Sequence, residues 1–109
     1  MATTYKVLGQ SNPSATTATT LYTCPAATQT VISTISICNQ AASQGTYRIA
    51  VRPNGATLAP EHYVVYDATI SANSVTAYTL GITIDASDVI TVYASASTMS
   101  FNAFGSEIA

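Results

Sequence analysis

The residues of this chain that could do chemistry are few and far apart. His62 stands next to Glu61, directly after Pro60. Serine-based nucleophilic catalysis needs a histidine base, a serine on a sharp turn and an acidic orienter. No Gly-x-Ser-x-Gly occurs, and neighbouring side chains on a strand point to opposite faces, so Glu61 does not orient His62. Asp85 and Asp88 could be the paired carboxylates of a glycosidase. Asp85-Ala86-Ser87-Asp88 reads instead as a tight turn, where aspartate is favoured because it accepts hydrogen bonds from nearby backbone N–H groups. Two carboxylates are too few oxygens for calcium. One histidine and the separated Cys24 and Cys38 are too few ligands for zinc. The five glycines form no phosphate-binding loop. The expectation is a protein with no catalytic residues, no cofactor and no metal.

Charge is the next signal. Only 7% of the 109 residues are charged: three Lys or Arg against five Asp or Glu, for a net charge of −2. A typical soluble domain carries about 25%. A surface without charge is wetted by Ser, Thr and Asn or is covered by partners, and the second option points to an assembly component. Arg48 and Arg52 are no basic footprint, so nucleic acid is not expected. No apolar run approaches the roughly 20 residues that span a bilayer, and no signal peptide is visible at Met-Ala-Thr-Thr-Tyr-Lys. Function without secretion or a membrane is expected, and in a reducing cytosol Cys24 and Cys38 are expected as free thiols.

The elements that must position these residues read as strands. Residues 1–109 form one domain, with 9–20 a low-complexity loop or arm (Ser11-Asn12-Pro13-Ser14 and a Thr/Ala run) after a short strand at Thr4–Leu8. Leu21–Cys24 is stopped by Pro25. Gln29–Cys38 places Val31, Ile35 and Ile37 on one face. Thr46–Arg52 alternates, with Tyr47, Ile49 and Val51 inward and Arg48 and Arg52 outward, and ends at the turn Pro53-Asn54-Gly55. His62–Ile70 offers Val64, Tyr66, Ala68 and Ile70 to the core. Val75–Ile84 offers Tyr78, Leu80, Ile82 and Ile84, with a bend at Gly81. Val89–Ser95 and Thr98–Ile108 complete the set, the latter with Met99, Phe101 and Ala103 in register. About eight strands at this spacing predict an all-β fold, an antiparallel β-sandwich of Greek-key or jelly-roll type.

Seven tyrosines without a tryptophan are the one compositional hint of recognition. Tyr47, Tyr66 and Tyr78 fall on predicted core faces, leaving Tyr5, Tyr22, Tyr63 and Tyr93 as candidates for exposure. The partner contacts are expected at Lys6, Gln10 and Asn12 in the arm region, at Arg48 and Arg52, and at Glu61 and His62. The two arginines could instead pair with Asp67 or Glu61.

Several segments also carry a resemblance. Leu21-Tyr22-Thr23-Cys24-Pro25-Ala26 followed by Val31-Ile32-Ser33-Thr34-Ile35 resembles the opening of small β-sandwich virion proteins of tailed bacteriophages, of the cyanophage type. Thr46-Tyr47-Arg48-Ile49-Ala50-Val51-Arg52-Pro53 and His62-Tyr63-Val64-Val65-Tyr66-Asp67 are similar to their middle strands. Leu80–Ile84, Asp88–Ala94 and Ser100–Ile108, with its Phe104-Gly105-Ser106-Glu107-Ile108 ending, resemble the closing strands. Cys24 departs from the usual valine. The resemblance implies a non-enzymatic virion structural protein, synthesised in the bacterial cytoplasm. It would bind the major capsid protein as a decoration or cement protein and form a homo-oligomer, a trimer being one form. The alternatives are a tail, neck or fibre component, or a carbohydrate-binding module for host attachment.

Overall fold

The computed structural model describes residues 2–109. Nine strands follow one another: β1 Thr3–Ser11, β2 Thr19–Thr23, β3 Gln29–Asn39, β4 Gly45–Arg52, β5 Tyr63–Ile70, β6 Val75–Tyr78, β7 Ile82–Ile84, β8 Val89–Ala94 and β9 Met99–Ile108. They are rich in Val, Ile, Thr and Tyr, whose side chains pack well on a pleated surface. Sheet A runs β1-β9-β3-β6, with β7 also on β3, and sheet B runs β2-β8-β4-β5. Every pairing is antiparallel. Strands β6 and β7 are one strand broken at Thr79–Gly81, where Gly81 takes φ +67°. Counted so, the fold is the expected eight-stranded sandwich with jelly-roll strand order.

The core lies between the sheets. Ile32, Ile35, Ile37, Met99, Phe101 and Ala103 face it from sheet A; Leu21, Tyr47, Ile49, Ile70, Ile90 and Val92 face it from sheet B. Fully burying one such large side chain contributes about 1.5–3 kcal/mol. Tyr47 sits edge-on to Phe101 at 6.4 Å, and its hydroxyl lies 2.5 Å from that of Tyr78. Buried Asn39 is satisfied too: its amide donates to the carbonyls of Ser43 and Ser71, and its oxygen accepts from the Ala41 N–H.

Bulges account for most departures from simple alternation, because an extra residue re-aims the side chains on either side of it. In β3 the shift falls between Ile32 and Thr34, so Thr30 and Ile32 face inward and Val31 does not. In β2 it falls between Thr20 and Tyr22, and both Leu21 and Tyr22 are buried; Tyr22 is not an exposed ring. In β5 two residues, Tyr66 and Asp67, stand opposite Arg48 of β4, and Asp67 takes φ +50°. Ala68 and Ile70 still face the core, but Val65 replaces Val64 there, and Val64 and Tyr66 are exposed. Leu80 is exposed as well, since it lies in the break between β6 and β7.

The arm at 9–20 is shorter than expected. Gly9–Ser11 pair with β9 and Thr19–Thr20 with β8. The remaining loop is tethered: Pro13 is buried, Asn12 Nδ2 donates to the carbonyls of Ser97 and Met99, and the Thr16 N–H donates to that of Ala94.

Candidate functional site

The seven candidate contact residues fall on opposite sheets, and no single site unites them. Lys6 and Gln10 belong to β1, with Asn12 just beyond it; Arg48 and Arg52 belong to β4; Glu61 and His62 occupy the short 3₁₀ turn before β5. Gln10 donates to the Asn102 side chain at 2.8 Å. His62 Nδ1 accepts from the Ala59 N–H at 3.0 Å, which closes that turn. Arg52 donates to the carbonyls of Ala56 and Gly55 and to Thr91 Oγ1, so it braces the turn at Pro53–Gly55.

Lys6 lies on the inner side of the sandwich rim. Its Nζ is 3.1 Å from Glu107 Oε1, and Glu107 Oε2 accepts from the Tyr22 hydroxyl at 2.5 Å. The same hydroxyl is 2.8 Å from Thr30 Oγ1, which in turn meets the Cys24 thiol at 3.2 Å. The Tyr22 bond, reinforced by Lys6, holds the Glu107 carboxyl below its ordinary value near 4.5. Burial and the adjacent carboxylate push the Tyr22 phenol above its ordinary value of 10. The chain of contacts stitches β1, β2, β3 and β9 together. Cys24 and Cys38 are free thiols, the first buried and the second half-buried.

The expected turn at Asp85–Asp88 is present. Asp88 accepts from the backbone N–H groups of Asn54 and Asp85, and Asp85 from that of Ala86. Both carboxylates are thus engaged by backbone donors.

Arg48 anchors the most organised cluster on the surface. Its guanidinium carbon lies 4.3 Å from the Tyr66 ring centroid and 4.2 Å from that of Tyr93. Its Nε and Nη2 donate to the two Asp67 oxygens at 2.6 and 3.2 Å. That bidentate contact lowers the Asp67 pKa from its ordinary 3.8 and raises that of Arg48. The β5 bulge builds this arrangement by turning Tyr66 and Asp67 to the outer side together. Next to it, Leu58, Ala59, Pro60, Tyr63 and Tyr66 line an open groove of about 600 Å³. Tyr63 meets Tyr66 edge to face at 4.9 Å. Alternation alone placed Tyr66 in the core; the clue available in the sequence was the Tyr-Asp pair, because aspartate tolerates the left-handed region that such a bulge requires.

The outer face of sheet A has the opposite character. Strands β3, β6 and β7 contain no charged residue, and the charges of β1 and β9, Lys6 and Glu107, turn inward to each other. Exposed on that side are Tyr5 at 83%, Val75 at 66%, and the directly opposed pair Val7 and Phe104, set among Ser, Thr and Asn. Compared with known proteins, the chain matches no family model, no curated protein and no solved structure.

Proposed function

We propose that the chain is a non-enzymatic structural subunit of a tailed-bacteriophage virion, specifically a decoration or cement protein that binds the assembled capsid shell. The observation that supports this reading best is the charge-free outer face of sheet A, with Tyr5, Val7, Val75 and Phe104 exposed on it. The buried centres of protein interfaces are depleted in charge and enriched in aromatic side chains, because an unpaired charge there costs desolvation energy. The lysine and both arginine side chains have intramolecular partners, and none of the three projects from the outer face of sheet A. Jelly rolls are a recurrent architecture of viral capsid domains, an analogy at the level of the fold.

The mechanism is mass action. A protein that binds the assembled shell and not its free subunits lowers the free energy of the assembled state. The partners on this reading are the major capsid protein and further copies of the chain, with a trimer suited to local three-fold positions.

The test is quantitative mass spectrometry of purified particles of the phage that encodes the chain, followed by rebinding to shells stripped of it. The chain should be present in many copies, and Tyr5→Lys with Phe104→Lys should abolish rebinding while the thermal unfolding midpoint stays near wild type. Absence from the particles, or undiminished rebinding of the double variant, overturns the reading.

A further inference from the structure

We infer that the Tyr63–Tyr66 groove and the Arg48–Asp67 pair beside it form a binding site for a neutral saccharide. The site lies on sheet B, away from the charge-free face of sheet A, so its occupancy does not depend on assembly through that face.

Three observations converge. The groove, at about 600 Å³, is within the range of roughly 300–1,000 Å³ common for small-molecule sites, which combine apolar walls with a few placed polar groups. Its walls are the rings of Tyr63 and Tyr66 with Leu58 and Pro60, and Tyr66 is 59% exposed. A pyranose presents a flat C–H face to such rings and hydroxyls at its rim, and tyrosine itself combines an apolar body with a polar tip.

Tyr66 also carries the guanidinium of Arg48 on its ring, so the ion pair adjoins one wall of the groove without lining it. Of the five N–H donors of Arg48, Asp67 engages two. Each Asp67 oxygen accepts one bond from Arg48 and keeps a further lone pair, and the Asp67 side chain is 43% exposed. Rigid donors therefore stand beside rigid acceptors, the pattern that vicinal hydroxyls satisfy by donating and accepting at once.

Charge selects the ligand class. The pair sums to zero, so an anionic ligand would have to displace Asp67 from Arg48, and a cationic one would compete with Arg48 for the rings of Tyr66 and Tyr93. A neutral polyhydroxylated ligand leaves all of these contacts in place. Bracing between two rings and a bidentate carboxylate also keeps Arg48 ordered before binding, which lowers the entropy lost on association.

The experiment is a titration of the isotope-labelled protein with neutral oligosaccharides of glucose, galactose, mannose and N-acetylglucosamine, followed by NMR. At least one should shift the resonances of Leu58, Tyr63, Tyr66 and Asp67 in a saturable manner. Tyr66→Ala should weaken that binding by about tenfold, the equivalent of losing one aromatic contact. Asp67→Asn should weaken it less, because the amide oxygen still accepts. Should Tyr66→Ala fail to fold, the map of shifted resonances on the wild-type protein decides. Shifts centred elsewhere, no response to any of the sugars, or binding unchanged in a folded Tyr66→Ala overturn the inference. A groove that answers only to a polypeptide partner overturns the saccharide assignment as well.

Discussion

Replacing Glu107 with Gln keeps the side chain's shape and removes its charge, which isolates what that charge does at the sandwich rim. In the folded protein the carboxylate accepts from the Tyr22 hydroxyl and pairs with Lys6. A hydrogen bond to an ionised group contributes about 1.5–3 kcal/mol and one between neutral groups about 0.5–1.5. Weakening the Tyr22 bond should therefore cost about 1 kcal/mol. The Lys6 pair adds about 0–1 kcal/mol, because the lysine is 44% exposed and water screens it. Glu107→Gln should be less stable by about 1–2 kcal/mol at pH 7. The pH dependence supplies the sharper test. Folding lowers the Glu107 pKa from its ordinary 4.5, so the unfolded chain takes up a proton first as pH drops. The stability from this group is present above pH 4.5 and is lost as pH falls through the folded value. Asp67 titrates with the same sign, but it is present in both proteins and cancels in their difference. Urea unfolding in steps from pH 7 to about pH 3 should show a gap between wild type and variant that narrows steadily. A constant gap, or no gap at pH 7, refutes the account of the rim.

Two further outcomes can be read from single substitutions or labels. A methyl group on Gly105 would stand 2.0 Å from the Val31 carbonyl oxygen, and strand backbone cannot yield there without breaking pairing. Gly105→Ala should lower stability by about 1–3 kcal/mol, seen as a lower urea midpoint, and an unchanged midpoint would mean that β9 can shift against β3. A thiol reagent should modify half-buried Cys38 in the native protein and reach buried Cys24 only on unfolding; equal rates would show that the β2 end of the sandwich opens readily.

Where a strand keeps strict alternation, its sequence was enough. Met99, Phe101 and Ala103 face the core as their spacing requires, as do Tyr47 and Ile49, and Pro53-Asn54-Gly55 turns the chain. Reading failed wherever a bulge changes the parity of a strand. The expectations for Val31, Tyr22 and Tyr66 each fall on the wrong side for that reason, and the last of these hides the groove. A bulge depends on what the neighbouring strand offers at that level, such as Arg48 opposite Tyr66 and Asp67, and the alternation within one strand does not show that pairing. The ion pair of Arg48 with Asp67 was open to inspection as one option among two. The Lys6–Glu107 contact spans 101 positions, and nothing local announces it.

The place of β9 governs when this protein can fold. It follows the other eight described strands in sequence, yet it lies between β1 and β3 and holds them in one sheet. A chain emerging from the ribosome can form the β4–β5 hairpin early, because those strands are neighbours in sequence. Sheet A must wait for the ten-residue strand β9, with β1 unpaired until then. Such long-range closure places folding in the range of about milliseconds to seconds. A chain without β9 has two open strand edges, on β1 and β3, and a core that lacks Met99, Phe101 and Ala103, a state exposed to aggregation and proteolysis. The sandwich can close only in a chain that includes β9, whatever order the other strands form in.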